Sequence, residues 1–217
     1  MSKASPRGRF IAFEGGEGAG KSTQARMLAE ALLDRGLAVT TTREPGGTPG
    51  AEALRSLLLD PPEAGWGPRA EALLFAAARA DHVAGLIKPA LAAGHWVICD
   101  RFVDSSRAYQ GGAGGLGDDA ITALHDFGSE GLRPDRTILL TVDENAARER
   151  LNARDGDTSD AIGGRSTAYH QAVAATFLAL AESNPEDFVL VDASGSPAAI
   201  HARVLSELSD LLEGDSQ

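Results

Sequence analysis

Gly15-Gly16-Glu17-Gly18-Ala19-Gly20-Lys21-Ser22, followed by Thr23, spells G-x-x-x-x-G-K-[ST] directly after the apolar run Phe10-Ile11-Ala12-Phe13. Glycines at these offsets let the backbone turn so that successive N–H groups point at phosphate oxygens. A lysine at the end of the loop reaches the β- and γ-phosphates, and the hydroxyl after it can ligate Mg²⁺. Downstream, Ala25, Leu28, Ala29, Leu32 and Leu33 fall on one face of a helix, so the loop joins a strand to a helix N-terminus. The residues from Gly15 to Thr23 are therefore expected to cradle a nucleoside triphosphate, with Lys21 as its principal cation.

The remaining chain sets bounds on this reading. With 217 residues, 43% of them hydrophobic, it can bury one sizeable core, and nothing resembles a linker. A single domain over 9–212 is expected, with frayed ends at 1–8 and 213–217. The net charge of −11 argues against nucleic acid or an anionic membrane as a partner, since such binders carry a basic face. Anionic ligands must then meet a local basic pocket. No run reaches the ~18 apolar residues of a membrane span, and no apolar segment follows Lys3, Arg7 and Arg9 as in a secretory leader. Cys99 is the only cysteine. It follows Trp96-Val97-Ile98 and reads as a buried, inert thiol of a reducing, cytoplasmic compartment.

Strand-length apolar runs at 10–13, 38–42, 95–99, 136–142 and 187–191 alternate with helical patterns at 21–35, 49–59, 68–93, 118–129, 144–154, 166–182 and 197–212. That rhythm predicts an α/β fold: a doubly wound, parallel, five-stranded sheet of the P-loop type flanked by helices. Pro89 is expected to kink or break the third helical stretch. The segment from Glu71 to Ala78 is apolar nearly all round, which suits a subunit interface and a deeply buried helix equally well.

P-loops serve switches, motors and kinases. A guanine-reading N-K-x-D motif is missing, because none of Asn145, Asn152 and Asn184 is followed by lysine. Instead, Thr42-Arg43-Glu44-Pro45-Gly46-Gly47-Thr48 follows the second strand and Asp100-Arg101-Phe102 the third, at the strand ends where an open parallel sheet places its ligands. Together with Phe75-(x)₃-Arg79, Ser105-Ser106-Arg107-Ala108-Tyr109-Gln110-Gly111 and Pro134-Asp135-Arg136-Thr137-Ile138, these segments closely resemble the bacterial thymidylate kinases over roughly residues 9 to 192.

The resemblance implies ATP-dependent, Mg²⁺-dependent phosphorylation of thymidine 5′-monophosphate (dTMP) in dTTP synthesis, by a homodimer with a small helical lid at about 152–166. It implies that Lys21 and the loop hold ATP, that Ser22 and Asp100 organise Mg²⁺, and that Arg101 clamps the acceptor phosphate. Phe75 would stack on the base, with Arg79 one helical turn later on the same face. Ser106 and Gln110 match base-edge positions, and Tyr109 matches the aromatic that crowds the sugar 2′ position. Glu17 matches an acid that meets the 3′-hydroxyl, while Glu44, Pro45, Arg55 and Ser105 belong to the acceptor side. Without the family, Phe75 reads as a core residue and Glu17 as a solvated loop carboxylate.

One stretch departs from the family pattern. Where the lid usually carries an Asp-Arg pair followed by an acid, this chain reads Asp160-Ala161-Ile162-Gly163. Arg150 and Arg154 share a helical face, and Arg165 lies just beyond Gly163-Gly164. Arg154 and Arg165 are the expected sources of lid charge. Two rival readings stay open at this level: a related nucleotide kinase with another acceptor, and a nucleotide-binding module without transfer activity.

Overall fold

A computed structural model describes residues 8–155 and 163–214 of the chain. Five strands, β1 (Phe10–Glu14), β2 (Val39–Arg43), β3 (Trp96–Asp100), β4 (Arg136–Thr141) and β5 (Phe188–Asp192), form one all-parallel sheet in the order β2-β3-β1-β4-β5. The chain winds first to one side of β1 and then, after β3, to the other. This reversal opens a crevice beyond the carboxyl ends of β1 and β3, the position at which sheets of this type bind ligands.

Strand side chains alternate between two covered faces. Ile11 and Phe13 join Ile98 and Ile138 on one face, beneath Leu28 and Leu32 of α1 (Lys21–Asp34) and Ile200 and Val204 of α9 (Pro197–Glu207). Phe10 and Ala12 join Val97 and Cys99 on the other, beneath Val83, Ile87 and Leu91. A third apolar group ties Leu139 and Phe188 to Val173, Phe177 and Leu180 of α8 (Thr167–Ser183). Burial on both faces explains why the central strands β1, β3 and β4 read as nearly continuous apolar runs, while the edge strand β2 is threonine-rich. Proline at the first turn and a preceding hydroxyl open two helices: Thr48 accepts from the Ala51 amide at the start of α2 (Pro49–Leu59), and Ser196 from the Ala199 amide at the start of α9.

The expected elements are found with three differences. The helical stretch from Pro68 is α3 (Pro68–His82), a π-helical turn over Val83–Ile87 and α4 (Lys88–Ala92). Pro89 removes a main-chain donor and crowds the carbonyl four residues back, and the wider turn just before it absorbs both effects. The final helical stretch is divided at Leu208 into α9 and α10 (Ser209–Gly214). Between β3 and α6 (Asp118–Ser129), where no element was expected, α5 (Val103–Ser106) continues as a π-helix over Arg107–Ala113. A Cβ on Gly112 would come within 2.2 Å of the Thr176 hydroxyl on α8, so the glycines that suggest a loop here allow close helix packing.

The chain around the expected ends and lid also differs in detail. Gly8, expected to fray, donates its amide to the Leu91 carbonyl at 2.9 Å. The Asp160-Ala161-Ile162 stretch lies outside the described residues. So does the side chain of Arg154, although its backbone belongs to α7 (Glu144–Asp155).

Candidate active site

The crevice is a cleft of about 490 Å³. Its floor comes from the loop after β1, its sides from the segments after β2 and β3, and its far end from α3 and the π-helix over Arg107–Ala113. It brings together Glu17, Gly18, Lys21, Ser22, Thr23, Arg43, Glu44, Pro45, Arg55, Phe75, Arg79, Asp100, Arg101, Ser105, Ser106, Tyr109, Gln110 and Arg150.

At the loop end, Lys21 donates to the carbonyls of Gly15 (3.1 Å) and Gly16 (2.7 Å). Burial, and next the Arg101 charge, push its ammonium down to about 8, against the pull of Glu17, Asp100 and Glu14. The Ser22 hydroxyl donates to Asp100 Oδ2, so two hard oxygen groups, one from the first turn of α1 and one from the end of β3, share the mouth of the loop. Among the described residues no group of three or more His, Cys, Asp or Glu side chains is arranged to hold an ion. A hydroxyl and one carboxylate suit Mg²⁺ that arrives on nucleotide phosphates and keeps much of its own water.

Arg101 follows β3 with φ of 70°, a left-handed backbone rare for a side chain of this size. The Arg101 amide donates to the Phe13 carbonyl at 2.9 Å, and the Arg101 carbonyl accepts from the Cys99 thiol at 3.0 Å, which fixes the turn on both sides. Its guanidinium meets Glu17 at 2.5 Å, Ser105 Oγ at 3.0 Å and the Tyr109 hydroxyl at 3.3 Å, with the Tyr109 ring centroid 5.1 Å away. Burial acts to lower its pKa, but Tyr109, Glu17, Glu14 and Asp100 raise it further, so it stays cationic. Cys99 is fully buried and its thiol is pushed well up, first by burial and then by Glu44, as an inert core thiol requires.

Beneath Arg101 sits Glu14, with no solvent exposure. It accepts from the Phe102 amide (2.8 Å), the Ser105 amide (3.0 Å) and the Ser105 hydroxyl (2.6 Å). Burial foremost, then the Asp104 charge, push its carboxyl up to about 7, while Arg101 and the hydrogen bonds pull it back. At the far end, Arg79 donates through Nε to Glu44 (2.7 Å) and through Nη2 to Ser106 Oγ (2.8 Å). Glu44 also meets His82 Nδ1 at 3.1 Å, and His82 Nε2 meets Thr42 Oγ1 at 2.7 Å. Arg79 is thus fixed through a chain of four partners, of which Glu44, Ser106 and His82 are buried and Thr42 is half-buried. Arg55 donates to the Pro45 carbonyl at 2.7 Å.

Arg165 is placed differently from expectation. Its guanidinium pairs with Glu71 and donates to the Tyr169 hydroxyl at 2.5 Å, and it does not line the cleft. Among the described side chains of this region, the arginine that does so is Arg150, which also donates to the Ala193 carbonyl at 2.8 Å.

A family model for thymidylate kinase matches residues 13–204. The chain belongs to the thymidylate kinase family. It is 55% identical to a thymidylate kinase of Rhizorhabdus wittichii over 94% of this chain and 99% of that protein. It is 46% identical to one of Chromohalobacter salexigens, over 94% and 97%, and 45% identical to one of Bradyrhizobium diazoefficiens, over 98% and 93%. The five-stranded parallel sheet with its flanking helices is the P-loop fold expected of this family.

Reading residues alone gave no role to Glu14, Glu71, His82, Arg150 or Tyr169. Two of them carried a usable signal. Glu14 is a charge closing a fully buried strand, and Glu71 shares the i, i+4, i+8 stripe of Phe75 and Arg79 on α3. His82, Arg150 and Tyr169 act through contacts to distant segments that no local pattern reports.

Proposed function

We propose that the chain transfers the γ-phosphoryl group of ATP to dTMP, giving dTDP and ADP, as a step in dTTP synthesis. One observation supports this reading: a single cleft is lined by Lys21, Ser22 and Thr23 of the loop together with Arg101, Arg79, Phe75, Ser106, Tyr109 and Gln110. Two anions can meet there in line.

The acceptor is a phosphate monoester with a second pKa near ~6, so it is largely dianionic at neutral pH and needs no base to activate it. What remains is positioning and charge neutralisation. Lys21 and the loop amides from Gly15 to Thr23 hold the donor phosphates. Arg101 engages two oxygens of the acceptor phosphate with its planar fork, and Glu17 receives the 3′-hydroxyl. Ser22 and Asp100 would hold Mg²⁺, which when bound offsets the negative charge on the nucleotide phosphates. Phe75 stacks on the base, Arg79 donates to a ring carbonyl with Ser106 beside it, and Tyr109 crowds the 2′ position. Arg150, which lines the cleft, supplies the positive charge that the variable loop positions lack, with Arg154 one turn further along α7.

Dimerisation belongs to the same reading. Leu73 on α3 is 57% exposed and Phe127 on α6 is 92% exposed in the single chain, and Ala77 and Ala123 continue this apolar face. A second copy would cover it. The enzyme works in the cytoplasm, where its nucleotide substrates are, and no helix among the described residues is long and apolar enough to cross a membrane.

The test offers purified protein ATP and Mg²⁺ with each of dTMP, dUMP, dCMP and dGMP, and follows ADP. Turnover strongest with dTMP is expected. Preference for the purine, or ATP binding with no turnover on any acceptor, refutes the assignment.

A further inference from the structure

Gln110 lines the base end of the cleft with only 3% of its surface exposed. Its Nε2 donates to Glu71 Oε1 at 2.9 Å. A carboxylate accepts and does not donate, so only the nitrogen of the amide can face it. The carbonyl oxygen of Gln110 is therefore turned away from Glu71 and remains an acceptor. Glu71 is itself held: its second oxygen pairs with Arg165, whose guanidinium lies 4.7 Å from the Tyr169 ring centroid and donates to that hydroxyl. The Tyr169 hydroxyl in turn donates to the Tyr109 carbonyl at 2.7 Å, beside the π-helical bond from the Gly114 amide at 2.8 Å. Residues 109 and 110 are thus gripped twice, Tyr109 at its carbonyl by Tyr169 of α8 and Gln110 at its side chain by Glu71 of α3, which Arg165 holds.

We propose that Glu71, held by Arg165 and Tyr169, is a positioning residue that fixes the orientation of the Gln110 amide and thereby selects a pyrimidine with a protonated ring N3 over one with an exocyclic amine. Thymine and uracil present an N3–H donor beside the O4 acceptor. An acceptor at Gln110 and a donor at Arg79 match that pair. Cytosine presents the reverse, a ring nitrogen acceptor beside an amino donor, and meets two mismatches in a buried pocket, where unpaired polar groups are costly. Arg165 then serves base selection through Glu71 and is not a source of lid charge.

The inference rests on reading the cleft as a pyrimidine monophosphate site, and its test separates the two. Steady-state rates at saturating ATP are measured with dTMP and dCMP for the wild type, Glu71→Ala and Arg165→Met, with dTMP affinity by calorimetry. The ratio of kcat/KM for dTMP over dCMP is expected to fall at least tenfold in Glu71→Ala, chiefly through a higher KM and Kd for dTMP. In Arg165→Met, which keeps the Glu71 side chain if Glu71→Ala fails to fold, a fall of at least threefold is expected. Loss of activity toward both acceptors in proportion, with the ratio within twofold of wild type in every folded variant, overturns the positioning role and leaves the site assignment intact. Wild-type protein that phosphorylates no pyrimidine monophosphate overturns both.

Discussion

Glu14 and Ser105 are joined twice, through the serine hydroxyl at 2.6 Å and its amide at 3.0 Å, across 91 residues of sequence. The carboxylate that ends β1 thereby fixes the turn carrying Arg101. Its pKa, pushed up to about 7 by burial and Asp104, has a thermodynamic sign. The folded state holds this proton more tightly than the unfolded chain, whose carboxyl titrates near 4.5. Stability from this group is therefore full below about 4.5 and is lost as pH rises to about 7. Glu14→Gln removes the titration. The melting temperature of Glu14→Gln minus that of wild type is expected to rise between pH 5 and 7.5 by at least about 3 °C. A flat difference would show that Glu14 is not protonated in the fold.

His125 carries the opposite sign. Its Nε2 meets the Leu132 carbonyl at 2.7 Å, while its buried Nδ1 has no partner among the described residues. Burial, and next the Arg79 charge, push its pKa down to about 4 from the ordinary 6.5. The unfolded chain binds the proton more readily, so stability is lost as pH falls from about 6.5 to 4. His125→Gln should lose less of its melting temperature than wild type between pH 7 and 5. Parallel curves would refute this.

Arg101→Met should lower kcat by about 10²–10³, the usual cost of removing one preorganised donor to a charged transition state. The KM for ATP should change far less, because Lys21 and the loop amides hold the donor. An effect confined to the ATP KM, read from initial rates at varied ATP and dTMP, would move Arg101 to the donor side.

The Arg79–Glu44 pair is almost fully buried, each side chain 4% exposed. Removing one partner leaves a buried charge and costs about 3–5 kcal/mol, roughly 6–20 °C in a domain of this size. Arg79→Met and Glu44→Gln together should destabilise less than the sum of the single changes by about 0.5–3 kcal/mol. Additive denaturant midpoints would mean that His82 and Ser106, and not the pair, hold this end of the cleft.

Two glycines of the loop should respond differently to alanine. Gly18 has φ of 72°, and a Cβ there would lie 2.5 Å from the Ala147 carbonyl, whereas a Cβ on Gly16 meets nothing within 4 Å. Gly18→Ala should cost more than about 1–2 kcal/mol, the left-handed penalty alone, and Gly16→Ala much less. Equal thermal shifts for the two variants would contradict the packing of α7 on the loop.

Parts of this site are legible in the sequence because their signals are local. The loop from Gly15 to Thr23 needs only eight or nine neighbouring residues, and Asp100-Arg101 stands out by following an apolar strand. The roles of Glu14 and Glu71 are set by partners 39 to 94 residues away, in segments that meet only when the sheet and helices pack. The π-helix after Ser106 was hidden for another reason. Gly111 and Gly112 suggest a loop, and only the approach of Thr176 explains why a helix there must lack side chains.

The π-helical turn over Val83–Ile87 has a consequence for the phase of the helix that contains it. The buried residues Arg79, Val83, Ile87 and Leu91 recur at strict intervals of four. In an unbroken α-helix, with about 100° per residue, three such steps would swing the buried stripe by about 120° around the axis. The overwide turn takes up that drift, so Val83, Ile87 and Leu91 all reach the same sheet face as Phe10 and Val97. Deleting one residue from this turn would leave composition and hydrophobicity almost untouched, yet it would rotate Phe75 and Arg79 out of the cleft as a unit, and Glu71 away from Gln110 with them.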